Sequence, residues 1–357
     1  MTLAKRAGVR LLARWEALLV VAILGVGVWS WTLSPFFLVR ANLLDLVTPY
    51  VFIGLMAFGL AFVVVAGEID ISVVSTLAVS VVCFAQLFAA GANVWLAAVA
   101  GLAIATALGL VNGLLVGILN LPSLAITLGT LAAYQGLAFV VLGGEGVASF
   151  PESYTKLGGG YLAGNQLPVA LLVLLGFALL LGLLLHATRF GRYLFTIGSN
   201  REAARFSGIP VARVRVTVFA LSGLMAGFAG VVYVGYFGSA RGDAGVGSLL
   251  DVVTAVVLGG VDIFGGAGSM LGVLLALVLV AELRNGMLLA NIAGDTQDIV
   301  IGVLLLAAIV AGNLLRAAKA GGAQPGRLRL RRREVIGHEA AEAVMPTNLE
   351  PQNLKGR

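Results

Sequence analysis

Charge is what this chain has least of. Only 11% of its 357 residues are charged while 60% are hydrophobic, against about 25% charged in an ordinary soluble domain. Mean hydropathy is +1.03. A water-facing shell cannot be built from so little charge, which excludes a soluble globular protein. Cysteine is nearly absent: Cys83 stands alone in an apolar run, so neither a disulfide framework nor a thiolate cluster for a metal is expected. The two histidines, His186 and His338, lie far apart in the sequence, and no histidine-based metal site is expected. Lysine is scarce too. None of Lys5, Lys156, Lys319 and Lys355 follows a glycine, so the Gly-Lys-Ser/Thr end of a phosphate-binding loop does not occur. His-Glu-x-x-His, Cys-x-x-Cys and Gly-x-Ser-x-Gly are missing as well, which argues against an enzyme embedded in a membrane.

What the chain does have is apolar runs. They fall near 17–33, 47–66, 72–90, 94–118, 123–142, 167–186, 214–237, 249–260, 268–290 and 296–312, and most approach the roughly 20 residues that cross about 30 Å of hydrocarbon as a helix. The expected fold is an all-α polytopic membrane protein with about ten transmembrane helices. The run at 249–260 is too short to span alone, so at least one short or broken helix is expected. Irregular backbone at that depth is tolerated only where protein or water surrounds it.

Most of the 23 basic residues gather before the first run, between the sixth and seventh, and after Leu315. The positive-inside rule makes all three regions cytoplasmic, the N- and C-termini included. Because these cations flank spans, the net charge of +6 points to the bilayer and not to nucleic acid. The expected organisation is a cytoplasmic N-terminus at 1–16, a transmembrane domain at 17–313 with a cytoplasmic loop at 187–215, and a basic tail at 314–357 with the composition of a disordered segment. Trp29 and Trp31 close the first run without a small-x-small cleavage pattern, so it is read as an uncleaved helix.

The loop at 187–215 carries the sharpest local signal. Ser199-Asn200-Arg201-Glu202 fits a capping box, Gly208 offers a left-handed C-terminal cap and Pro210 stops continuation. That frames a helix of about two turns, too short to stand alone in water. Arg201 and Arg205 share one face, with Phe206 beside them. Such a helix serves either as a knob for a groove on another protein or as a surface helix on lipid headgroups.

Glu202-Ala203-Ala204 followed by Gly208 resembles the Glu-Ala-Ala-x-x-x-Gly core of the cytoplasmic loop in permeases of binding-protein-dependent ABC importers. The stretch from Asn200 to Ile209 resembles the Asn-x-x-Ala-Ala-x-x-Ser-Gly-Ile pattern of the ribose/xylose-type sugar permeases. Gly67 to Ser72, Asn112-Gly113 with Pro122 and Thr127 to Thr130, and Ala255 to Gly260 through Gly265 to Ser269 are similar to further stretches of that family. The likeness covers about 40–312, and Tyr236 to Arg241 resembles its rhamnose and autoinducer-2 branch. Glu68 and Val74 depart from it, standing where many members carry glycine. The resemblance implies a permease subunit in the bacterial inner membrane, forming the path for a sugar or sugar-like solute. Its implied partners are a dimer of ATPase subunits that binds ATP and Mg, a second permease, identical or a sibling, and a periplasmic solute-binding protein. This chain would hold no cofactor. The residues Ser199, Asn200, Arg201, Glu202, Ala203, Ala204, Arg205, Phe206 and Gly208 would couple it to the ATPase.

Polar groups within apolar runs are candidates for the path, because charge at membrane depth is costly. Glu68 and Asp70 lie in a turn between two runs and line the path, unless Asp70 or Ser72 merely caps the next helix. Asp262 sits in a similar Gly-interrupted segment, and such pairs mark midplane sites in transporters. Asn112, Thr127 and Gln135 are neutral path candidates, with helix-to-helix hydrogen bonding as their other reading. Two rival functions share these features: a branched-chain amino acid ABC permease, and a self-sufficient ion-coupled transporter or channel relying on Glu68, Asp70 and Asp262.

Overall fold

The computed structural model describes residues 15–143, 145–162 and 167–321. Residues up to Ile309 form one compact unit, and a second begins at Val310. Among the described residues, eight helices are long and apolar enough to cross a membrane, as the all-α polytopic expectation requires.

Helix α1 (Trp15–Leu33) leads to a short α2 (Arg40–Asp45) and, through a 3-10 turn at Thr48–Tyr50, to α3 (Val51–Val65). Every residue of α3 is buried. In a bilayer a helix apolar on all sides could equally face lipid, so it is this complete burial that puts α3 at the centre of the bundle. Helix α4 (Val73–Ala89) is nearly as enclosed, followed by α5 (Val94–Gly117) and α6 (Ser123–Leu142). Then come α7 (Glu152–Gly159), α8 (Val169–Ala187), α9 (Arg189–Ser199), α10 (Arg201–Phe206) and α11 (Val211–Phe237). Helices α12 (Leu249–Leu258), α13 (Met270–Leu289) and α14 (Gly294–Gly321) complete the unit and carry the chain beyond it.

The tightest helix pair is α5 against α11. A Cβ placed on Gly113 would lie 2.8 Å from the Val216 carbonyl oxygen, and one on Gly227 would lie 2.8 Å from a Leu102 methyl. Small residues at four-residue spacing let the two backbones meet, which supplies packing where no hydrophobic effect operates between helices in lipid.

The short eighth crossing is helical only over the ten residues of α12, about 15 Å at 1.5 Å per residue. Residues 242–248 continue it as turns, with Gly245 and Gly247 at positive φ. Arg284 of α13 donates to Asp251 of α12 at 2.8 Å and to Asp298 of α14 at 2.8 Å, tying the three helices.

The connection after α6 is held against the bundle: Tyr154 of α7 is fully buried and its hydroxyl donates to the Val231 carbonyl of α11 at 2.7 Å. Short strands β1 (Val147–Ala148) and β4 (Ser239–Ala240) pair across it, as do β2 (Tyr161–Leu162) and β3 (Leu167–Pro168). The Tyr161 hydroxyl donates to Asp45, and that bond pushes the phenol up to about 12. Helix α14 continues to Gly321 through helix-favouring Leu, Arg, Ala and Lys. The remainder of the tail, 322–357, and most of the N-terminal segment 1–16 lie outside the described residues.

Candidate functional site

Helix α9 shows why the loop has a fixed shape. Thr188 caps it, accepting from the Gly191 amide at 3.3 Å, and Gly191, Leu194 and Ile197 bury one face. The chain turns at Asn200, whose extended backbone separates α9 from α10 and whose side chain accepts from the Ala203 amide at 2.9 Å. Asn200 is therefore the N-cap, not Ser199. Ser199 still belongs to α9, and its hydroxyl donates back to the Phe195 carbonyl at 2.7 Å, the bond such residues make inside a helix. At the other end Gly208 has φ +77, and the Ile209 amide donates to the Ala204 carbonyl at 3.1 Å, the closure expected of a left-handed cap.

Six residues with two caps still cannot hold a helix in water. Two tertiary contacts do so. Ala204 is fully buried, and Arg201 donates to the Glu68 carboxylate. The outer face stays open, with Phe206 90% exposed.

Glu68 belongs to the break between α3 and α4. Gly67, at φ +76, closes α3, with the Glu68 amide donating to the Val63 carbonyl at 3.1 Å. The Glu68 carboxylate is buried and lies 2.7 Å from Arg215 Nε as well as against Arg201. Arg215 is buried too and donates to the Asn120 side chain at 2.8 Å. One carboxylate thus joins the α3–α4 break, the exposed helix α10 and the start of α11.

Asp70, two residues on, organises the helices behind it. It accepts from the Ser72 amide at 3.0 Å, the Ser72 hydroxyl at 2.6 Å and the Ser222 hydroxyl at 2.8 Å. Asn112 donates to the Ser72 hydroxyl at 2.8 Å. The Ile69 amide donates to the Ser123 hydroxyl at 3.2 Å, and Thr127 donates to the Ile69 carbonyl at 3.3 Å. Asp70, not Ser72, supplies the side-chain acceptor at the start of α4, and the same carboxylate binds α4 to α11.

A second break repeats the first. Gly260 has φ +83, and the Val261 amide closes on the Val256 carbonyl at 3.2 Å, as Glu68 closes on Val63. Asp262 accepts from the Phe264 amide at 3.0 Å within this turn. The two breaks touch: the Gly266 amide donates to the Val65 carbonyl at 2.9 Å, and a Cβ on Gly265 would lie 2.7 Å from the Gly67 Cα. Gly198, at the end of α9, sits against both the Val65 carbonyl and the Gly266 amide with no room for a methyl group. Three backbone segments therefore meet where α9 hands over to α10. Beside them a cavity of about 920 Å³ is lined by Asn120, Pro210, Arg201, Arg205, Arg213 and Arg215.

The geometry merges two groups of residues that sequence patterns keep apart. Glu68 belongs with Arg201 and the loop, while Asp70, Asn112 and Thr127 form the network behind the break. Gln135 lies elsewhere, donating to the Gly242 carbonyl at 2.8 Å. Ser72, weighed from the sequence only as a helix cap, joins the network, and Arg215, Ser222 and Ser123 complete it and are missed by sequence reasoning. Arg215 carried a usable signal, an arginine flanked by Val214, Val216 and Val218 at the start of a span. The serines carried none, being ordinary in membrane helices.

Comparison with known proteins adds the family. Residues 42–309 match the family described as branched-chain amino acid transport system / permease component. The autoinducer 2 import system permease protein LsrD of Yersinia enterocolitica is 36% identical over 303 residues, covering 83% of this chain and 91% of that protein. The Klebsiella pneumoniae protein of the same description is 34% identical over 311 residues, 85% of this chain and 93% of its own length. That of Escherichia coli K12 is 36% identical over 306 residues, covering 83% and 91%. No solved structure matches the chain. With the match covering most of its length and relatives this similar almost end to end, the chain belongs to the permease components of branched-chain amino acid-type transport systems, the multi-pass inner-membrane subunits of ABC importers.

Proposed function

We propose that this permease carries a sugar or sugar-like solute of the autoinducer 2 class, delivered by a periplasmic binding protein, and that partner ATPase subunits drive it by gripping α10. The relatives named for autoinducer 2 support that cargo over a branched-chain amino acid. ATP and Mg belong to the ATPase, and a second permease, identical or a sibling, completes the path. One observation carries the coupling role: the exposed Arg205-Phe206 end of α10 is joined, through Arg201 and Glu68, to the α3–α4 break. A pull on α10 reaches the membrane helices without passing through a flexible segment. A shift between two states of the path needs only that ATP-bound partners hold α10 better in one of them.

Vesicles reconstituted with the chain, its ATPase, any sibling permease and the binding protein test this reading. Uptake of autoinducer 2 should require ATP, and Arg205→Glu with Phe206→Ala should abolish it together with ATPase association. Uptake by the chain alone would overturn the proposal and favour an ion-coupled carrier.

A further inference from the structure

The charged groups at the two breaks are tied to one another or to backbone amides and hydroxyls, which leaves open what a solute would touch. The segment at 238–248 supplies a pair of charges that is not enclosed. It begins at the outer end of the bundle, where β4 pairs with β1 beyond the end of α6. From there it turns back among the helices. Gly242 meets Gln135 and Phe139 of α6, and Gln135 lies seven residues, about 10 Å, inside the end of that helix. Gly245 packs on Val74 and Leu77 of α4, the latter about 18 Å from the outer end of its helix. The segment folds as consecutive turns, Ala244 on Arg241, Val246 on Asp243 and Ser248 on Gly245. One side is sealed, with Ala240 and Ala244 fully buried. The other presents Arg241 and Asp243, joined by two bonds of 2.9 and 3.1 Å, with side chains 68% and 46% exposed.

Irregular backbone at membrane depth cannot face hydrocarbon, and neither can an exposed ion pair. Arg241 reaches outward to Gly146, just beyond the end of α6, so the pair stands at the outer mouth of that side, which must face a water-filled or protein-lined space. We propose that Arg241 and Asp243 form a solute-contacting constriction of the translocation path, and that they take a neutral, hydroxyl-rich molecule; this rests on the permease reading above. The pair carries no net charge and so gives no net attraction to an ion. Its two donors and two acceptors now satisfy each other. Hydroxyl groups of a solute can replace both bonds, donating to Asp243 and accepting from Arg241, while the half-exposed ring of Phe139 beside Gly242 offers an apolar face.

Cysteine accessibility tests the placement whatever the cargo. With Cys83→Ala as background, Arg241→Cys and Asp243→Cys are treated with a membrane-impermeant methanethiosulfonate reagent in the assembled complex, since thiols react as thiolates in water. Glu152→Cys, at an exposed position of α7, serves as the aqueous reference and Leu179→Cys, on an outward-facing position of α8, as the lipid reference. The account predicts rates within about tenfold of the aqueous reference; rates as low as the lipid reference would overturn it. Uptake of autoinducer 2 by the reconstituted complex tests the contact. Arg241→Ala and Asp243→Ala should each lower it at least tenfold with the ATPase still co-purifying, and the exchange Arg241→Asp/Asp243→Arg should not restore it. Restoration by the exchange would make the pair a structural tie and refute the solute role. Failure of the unmodified complex to import autoinducer 2 would count against the cargo reading, with the labelling still deciding the path.

Discussion

Replacing Glu68 by glutamine keeps the shape of the side chain and removes the one charge that serves two arginines. Arg215 is the main loser, because both its side chain and that of Glu68 are only 4% exposed. Breaking a buried pair by removing one partner costs about 3–5 kcal/mol, most of it from the charge left behind. Arg201 is 44% exposed, so its own share is screened and adds at most about 1 kcal/mol. Two to four orders of magnitude in the folding equilibrium follow at about 1.4 kcal/mol per decade. Thermal unfolding of the purified protein, followed through its four tryptophans, should drop by at least about 4 °C, taking about 1.3 °C per kcal/mol from an unfolding entropy of about 2.1 cal/mol/K per residue. Glu68→Met/Arg215→Met removes both charges and should recover most of that loss, since apolar replacement of a buried pair is often neutral. The double variant should be stable yet transport poorly, because the link from α10 to the α3–α4 break is cut. Unchanged melting of Glu68→Gln, or a double variant no better than the single one, would refute the reasoning.

Other substitutions probe the same region. Asp70→Ala removes the acceptor for three hydrogen bonds, each worth about 1.5–3 kcal/mol to a charged group, and should abolish stable expression, whereas Asp70→Asn should retain measurable protein by detergent-solubilised size-exclusion chromatography. Asn200→Ala should weaken α10 by about 1 kcal/mol, seen as lower recovery of ATPase in co-purification, while Asn200→Asp keeps the cap and Ser199→Ala leaves recovery unchanged. Gly198→Ala has no space against Val65 and Gly266 and should lower the melting temperature by the equivalent of about 1–3 kcal/mol. The same change at Gly129, which has open space around it, should leave it unaltered.

Much of the fold is legible in the sequence because a membrane helix needs one thing above all, an uncharged length. The run at 249–260 shows the principle at its limit: ten residues of helix with glycines before it are readable as a broken crossing, but the route of 238–248 is not, since turns at depth leave no periodic pattern. Helix α9 was hidden for a different reason. Its apolar face is set by Gly191, Leu194 and Ile197, too short and too mixed with arginine to stand out from a basic loop. At the site, α10 could be framed from Gly208 and Pro210, although the cap fell one residue later, at Asn200, because Ser199 was still inside the preceding helix. Glu68 and Asp70 are conspicuous as intramembrane charges, yet their partners decide their roles. No spacing rule places Arg201, 133 residues away, on Glu68, or Ser222, 152 residues away, on Asp70.

The central claim is that this chain is one subunit of an importer whose ATPase holds α10. The most direct measurement is to isolate the tagged chain from its native membranes in mild detergent and identify every stoichiometric partner by mass spectrometry, alongside an Arg205→Glu/Phe206→Ala variant. The account predicts an ATPase subunit with the unaltered chain and its loss from the variant, with the second permease retained. A chain that emerges without an ATPase, or a variant that keeps it at full stoichiometry, would contradict it.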